Sequence, residues 1–585
     1  MRFGLVPIVP RRSSMKSLPI ALLAIWICSA FNEAHAQPGK GIDAATVAAY
    51  EKRGAEYGGW VKVDFETAFQ PGRAKAESGL PGFRFRTFPK TGLPAVAVPL
   101  GLDFTGSDIT DAGLKEVAAL KNLTALELGG AKVSDAGLKT LAPLTSLTSL
   151  GLVGTDVTDA GLKDLAPLKN LAILGLPSGV TDAGLKDLAT LNNLTSLQLS
   201  FTQATDDGMK HVAALKGLAS LNLTSLKVTD DGLKELAPLK NLSALYLRGA
   251  QVTDAGLKEL TPLKNLATLD VSFTPISDAG LKELAPLKNL ASLNLWFTQV
   301  TDAGMKELAM HRTLSALFVN GQEITDNGVK ELAVLTNLAT LQLGRTKVTD
   351  TGLKALAPLK NLATLHLNST QVTDAGMSEL VRFQKLAVLG LHDTKVSDQG
   401  LKELAELKNL SSLFLNLTQV TNAGLKDLAP LKNLTALDLY GTKVSDAGLK
   451  DLAPLKNLGT LNLGGTKVGD AGLKELARLP SLTMLGLGET NVTDKGLQNL
   501  ASLKNLTWLD LGGTAVTDAG MKQLALLPNL ADLNLGATQV TDKGLKELTP
   551  LRNLSSLGVR EAKGITFGGA NELRRALPKC FIYGR

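Results

Sequence analysis

From residue 98 onward the chain alternates two hydrophobic rhythms. In LKNLTALDLYGTKV (431–444), Leu434, Leu437 and Leu439 point one way and the residues between them alternate to the other, the period-two mark of a strand. In VTNAGLKDLAPL (420–431), Leu425 and Leu428 form the buried stripe of a short helix, and Thr421 or Asn422 supplies an N-cap oxygen. Pro430 ends that helix, since it cannot donate to the next turn. Asn433 suits a left-handed turn, a reading supported by Gly217 at the same place in its own unit.

The two rhythms recur as one unit. Its TDAG aspartates stand at 111, 135, 159, 182, 206, 230 and onward to 542, 24 residues apart except for 23 between Asp159 and Asp182. There are nineteen copies, with Asn422 in place of aspartate once. Glycine follows in all nineteen, from Gly113 to Gly544, although glycine inside a helix costs roughly 0.5–1 kcal/mol against alanine. Close approach of neighbouring helix starts is the expected compensation. Threonine recurs after the strand, as at Thr298, Thr346, Thr370, Thr394, Thr442 and Thr514, where its hydroxyl is expected to satisfy turn amides.

A unit of this length carrying V-T-D-A-G-L-K-x-L-A-x-L-x-x-L-x-x-L-x-L-x-x-T resembles the leucine-rich repeat family, in its bacterial exported form, from residue 98 to about 585. The resemblance implies an α/β solenoid of horseshoe shape, with parallel strands on the concave face, short helices on the convex face, and protein recognition as the usual role. The family more often has asparagine where this chain mostly has the recurring threonine, so its asparagine ladder is not assumed. Leu102 through Leu557 give twenty strands, an inner arc on the order of 90 Å. The expected organisation is a signal peptide at 1–36, an N-terminal capping region at 37–97, the solenoid at 98–563 and a C-terminal cap at 564–585. Within the caps, 44–57 reads as a helix and 58–96 as irregular chain. Residues 570–577 read as a last helix, followed by a short strand closing the core with Phe581 and Tyr583.

The leader changes the charge and cysteine arithmetic. Lys16, the apolar run LPIALLAIWICSAF and the Ala34-His35-Ala36 cleavage pattern mark an export signal, starting at Met1 or Met15. The expected location is periplasmic, cell-surface or secreted, with no transmembrane segment after signal removal. The formal charge of +7 then falls to +4, without a basic stripe for nucleic acid. Cys28 leaves with the signal and Cys580 stands alone, so stability must come from packing.

Catalytic constellations are scarce. His366 and His392 fall on outward strand positions beside Asp393, and read as two solvated polar residues rather than a metal site, which wants three or four ligands. The aspartate column reads as helix caps, and Cys580 as a small core residue. No nucleophile elbow, P-loop or HExxH motif is present. Fewer than ~60 residues separate the leader from the first repeat strand, short of a catalytic domain. The expectation is a non-enzyme with no cofactor and no metal.

Aromatics carry the remaining signal. They make up only 4% of the chain, so leucine builds the core, and between 105 and 560 nine of ten fall at variable positions of the strand or its exit. Five belong to four consecutive strands: Tyr246, Phe273, Trp296, Phe297 and Phe318, with Arg248 and Arg345 as a polar rim. Trp296 should point out of the concave sheet and Phe297 sit at its exit edge. Aromatics dominate interface hot spots, so these seven residues are the expected site for a protein partner. The alternative is a structural or cell-envelope scaffold that binds itself or a wall glycan.

Overall fold

The computed structural model of the protein describes residues 41–63 and 66–584. The leader at 1–36, with both candidate start methionines, lies outside the described residues. The first helix, α1 (Ala44–Glu51), begins at Asp43, whose carboxylate accepts the Thr46 N–H at 2.9 Å. It is shorter than the 44–57 expected, because the chain is already extended from Ala55. Strand β1 (Ala55–Val63) lies between β2 (Glu66–Pro71) and β3 (Leu80–Phe85), antiparallel to both. Irregular chain was the expectation for 58–96; it holds at 86–96, whereas Gly58, Gly59 and Gly82 are strand residues under close cover. A Cβ on Gly82 would come within 2.8 Å of the Trp60 indole nitrogen. Tyr50 stacks on Phe83 with ring centroids 4.0 Å apart, and Phe85 on Phe104 at 5.3 Å, so buried aromatics begin the core that leucine continues.

From β3 onward every pairing in the 24-stranded sheet is parallel. Strands of about three residues repeat in strict register, so that Leu269, Leu293, Leu317 and Leu341 face one another in sequence. In the unit 276–299, Ile276, Leu281, Leu284, Leu287, Leu290, Leu293 and Leu295 are all fully buried. Each contributes roughly 1.5–3 kcal/mol of apolar burial. Short helices such as Asp302–Leu308 line the opposite side.

The aspartate column does something other than capping its own helix. Most repeat helices are capped by the preceding threonine or serine, as where Thr301 Oγ1 accepts the Ala303 N–H at 3.2 Å, and Thr110, Thr205 and Thr253 are exceptions. The aspartate reaches the next repeat instead. Asp278 accepts the Thr301 N–H at 2.8 Å and its hydroxyl at 2.6 Å. The hydroxyl thus relays a charge-assisted bond between neighbouring helix starts. The glycine column follows from this, because a Cβ on Gly304 would collide with the Asp278 carboxylate. At Asn422 the polarity reverses. Its Nδ2 donates to Ser445 Oγ at 2.8 Å, and Ser445 makes no side-chain cap to its own helix.

Two further columns differ from expectation. Asn433 is not left-handed; its Nδ2 donates to the Lys408 carbonyl of the previous repeat at 2.9 Å, as Asn289 does to Lys264. Asparagine therefore forms an inter-repeat ladder, at the turn before the strand. The threonine hydroxyls chiefly donate to a carbonyl, as in Thr298 to Leu295 at 2.7 Å, and accept a turn amide at Thr202 and Thr466.

At the far end, helix Phe567–Ala576 leads into strand Phe581–Tyr583, parallel to Ser556–Gly558. Ile582 pairs with Leu557 and is buried, so the alternation turns Phe581 and Tyr583 outward, 70% and 42% exposed. The core is closed by Ile582 and Cys580, not by the two aromatics. Among the described residues no helix is long and apolar enough to cross a membrane.

Candidate binding site on the strand-exit rim

Each repeat strand ends at a buried aliphatic residue, then passes one position on the sheet face and one in a turn. That turn position is left-handed in all repeats but the one of Ser178: glycine at Gly249, Gly441, Gly465 and Gly513, but Phe201 (φ 63°), Phe273 (59°), Phe297 (55°) and Arg345 (60°) elsewhere. A side chain there costs roughly 1–2 kcal/mol that glycine would avoid. The phenylalanines are nonetheless held outward, with Phe273 43% and Phe297 45% exposed.

These rings form a ladder across adjacent repeats. Phe273 and Phe297 stack with centroids 4.5 Å apart and planes 26° from parallel. Trp296 stands edge-on to Phe297 at 6.4 Å and 86°. Arg248 lies over the outer side of the pair, its guanidinium carbon 4.4 Å from the Phe273 centroid; that of Arg345 is 5.9 Å from the Phe297 centroid. Cation–π attraction and ring stacking each add about 0.5–1.5 kcal/mol at such contacts. Neither arginine forms an ion pair among the described residues.

Five of the seven expected residues are thus brought together: Arg248, Phe273, Trp296, Phe297 and Arg345. Tyr246 and Phe318 stand half-buried in the neighbouring row, three strands apart with Asp270 and Asn294 between them. Trp296 is only half-exposed, and its indole N–H is buried without an acceptor. Ser272, between Arg248 and Trp296 in the row that those two share, is fully buried with no partner for its hydroxyl. Unpaired buried polar groups cost about 1–3 kcal/mol each. Sequence reasoning missed the polar supports of the ladder. Asn320 Oδ1 accepts the Phe297 N–H at 2.6 Å, where other repeats use a backbone carbonyl. Asp270 accepts the Ser272 N–H at 2.8 Å and the Asn294 amide at 3.1 Å. One strand-to-strand step later such residues read as ordinary polar strand positions, which is why no local signal marked them.

Of the two histidines expected to be solvated, His366 is buried and His392 is partly exposed. His366 is buried against Gly390, and burial pushes its pKa down to about 4. His392 places Nδ1 3.2 Å from the Asn416 carbonyl. No group of three metal-ligating side chains occurs among the described residues. Cys580 is buried, and burial pushes its thiol up to about 11, keeping it protonated.

A family model described as a leucine-rich repeat region matches residues 325–523, and one described as a leucine-rich repeat matches 119–142, 144–166 and 263–285. With the parallel three-residue strands and their buried leucine columns, this decides the family. The chain is a leucine-rich repeat protein. No curated protein matches it. Among solved structures, this leucine-rich repeat chain is similar to an internalin (inlF) of Listeria monocytogenes, 26% identical, covering 59% of this chain and 87% of that one with a TM-score of 0.39. It is similar to the functional domain of InlJ from the same organism at 19% identity, covering 64% and 74%, with a TM-score of 0.39. A chain of the mouse RP105/MD-1 complex is 18% identical, covering 82% and 90%, with a TM-score of 0.45.

Proposed function

We propose that this leucine-rich repeat protein is a non-catalytic, exported recognition protein that binds a protein partner through its concave face and strand-exit rim. Arg248, Phe273, Trp296, Phe297 and Arg345 form the centre of the site, with Tyr246 and Phe318 at its border. The observation that carries the reading is the Phe273–Phe297 stack on left-handed turns. Glycine serves the same turn elsewhere without strain, so the rings are not there for the backbone. Half-exposed aromatics capped by arginine have the composition of an interface hot spot. The leader composition of residues 1–36 supports export.

That glycine alternative also supplies the test. The variant Phe273→Gly, Phe297→Gly keeps a backbone that the turn accepts, so it should fold. Parent and variant would be used as baits on native cell-envelope extract, and any retained protein purified and titrated against both. Retention by the parent and loss from the variant, with unchanged circular dichroism, is expected. Equal binding by both sinks the reading. A second reading, a scaffold that binds itself or a wall glycan, draws on the exposed Phe581–Tyr583 pair, stacked at 6.2 Å on the last strand. It predicts binding that survives the glycine substitutions and falls with Phe581→Ser, Tyr583→Ser.

A further inference from the structure

We infer that the segment held by this ladder is an extended acidic peptide, with two carboxylates four residues apart bracketing an apolar side chain. The inference rests on the reading of the ladder as a binding site and names the chemistry of its occupant. Three observations carry it: the two unpaired arginines, their separation, and the apolar surface between them.

Arg248 and Arg345 each turn a guanidinium toward a phenylalanine ring. Cation–π attraction uses none of the guanidinium N–H donors, and those donors match a carboxylate bidentately. Neither arginine side chain donates to any acceptor among the described residues, and both are exposed. The nearest row carboxylate, Asp270, is already engaged by Ser272 and Asn294. The site therefore presents two cations whose hydrogen-bonding edges lack acceptors.

The guanidinium carbons are no more than about 15 Å apart, the end-to-end length of the stack. In an extended peptide, residues i and i+4 lie about 13–14 Å apart and project to the same side. Residue i+2 projects to that side as well, midway, where it meets the exposed edges of the Phe273 and Phe297 rings. A pair at i+6 would overshoot the second arginine, and a pair at i+2 has no residue between its carboxylates that projects to the ring side. The peptide runs along the solenoid axis, across the strands, because the ladder does.

A polyanion fits less well. Between the arginines stand two rings and no further cation, and farther along the same turn column come Asp393, Glu489 and Glu561. A nucleic acid backbone wants continuous positive charge.

The test is an array of heptapeptides in a Ser/Gly background, read by fluorescence polarisation against the full chain. Two aspartates are placed at i,i+2, i,i+4 or i,i+6, with leucine or serine midway, beside matched asparagine peptides. The expected result is tightest binding for i,i+4 with leucine, about tenfold weaker with asparagine, and a similar loss in Arg248→Gln or Arg345→Gln. Equal binding of aspartate and asparagine peptides, both lost in Phe273→Gly, Phe297→Gly, would leave the site and overturn the acidic occupant. Binding indifferent to the glycine pair would overturn the site itself. Failure of every peptide to bind at millimolar concentration overturns the proposal, as does a single-stranded oligoribonucleotide or inorganic polyphosphate that binds tighter than the i,i+4 peptide.

Discussion

Two stretches of the same rim use aromatic rings in opposite ways. Around Phe297 the rings stand at left-handed turns, stacked on each other and on arginines, and nearly half exposed. Six repeats on, Tyr440 occupies the position equivalent to Trp296, but the turn after it is Gly441 and the next repeat offers Gly464 and Gly465. The Tyr440 ring lies across those glycines, since a Cβ on Gly464 would come within 2.8 Å of it. Its hydroxyl donates to Glu489 Oε2 at 3.1 Å, two repeats farther. That ring covers the sheet and has a polar partner of its own. In the first stretch Asn320 fills the place that Gly464 leaves clear, and no such bed exists. An aromatic on a repeat surface is thus filler or an available contact according to what its neighbours one repeat away leave open.

The comparison can be broken most decisively at the rings. Phe273→Gly with Phe297→Gly should weaken partner binding about a hundredfold, as central hot-spot aromatics do, with little change in unfolding. Tyr440→Ala should do the reverse: unchanged binding, and about 2 kcal/mol lost locally from ring burial and one hydrogen bond. Isothermal titration and hydrogen exchange of the neighbouring strands would separate the two effects. Identical behaviour of both variants would erase the distinction.

Acid should discriminate the two stretches next. His311 replaces a core leucine beneath the first, where the second has the fully buried Leu455. Burial, with help from Lys288, lowers the pKa of His311 below the ordinary value. Its neutral form is therefore the one the fold accepts. Stability is retained above the unfolded-state pKa, near 6.5, and is lost as pH falls below it, because the unfolded chain then binds more protons. Hydrogen exchange should show the first stretch loosening before the second between neutral and mildly acid pH. His311→Leu should abolish that order and stabilise by roughly 1–2 kcal/mol at neutral pH by removing poorly partnered ring nitrogens. A pH response that survives this substitution would place its origin elsewhere.

The smallest effect concerns the staple between repeats. Asn422→Asp should return the Ser445 hydroxyl to donating toward the carboxylate and capping its own helix, as Thr301 does. A gain of about 0.5–1 kcal/mol is expected, read as a later denaturant midpoint for the second stretch alone. No gain would mean that the amide reversal is as good as the aspartate relay.

Much of this molecule was legible along the chain, because hydrophobic periodicity reports which side of an element is inside. That rule placed Leu293 and Leu295 in the core, Trp296 on the opposite side, and Phe297 at the strand exit. It failed where one residue of phase decides the outcome, as at Phe581 and Ile582, and where glycines read as turns but lie beneath Trp60. The grouping of Arg248, Phe273, Trp296, Phe297 and Arg345 was partly legible, since a constant period brings equivalent positions side by side. Their stacking, and the support of Phe297 by Asn320, were not.

By itself, then, the sequence determined the repeat, its inside and outside, and the surplus of rings on the varying positions. Only the tertiary structure decided which partner each outward group takes. Asp278 reads as a cap until the next helix start arrives beside it, and Asn433 as a turn residue until the Lys408 carbonyl does. The physical reason is that burial is set by a residue's own alternation. Hydrogen bonds and ring contacts in a solenoid are made 24 residues away, across a spacing that only the wound chain defines.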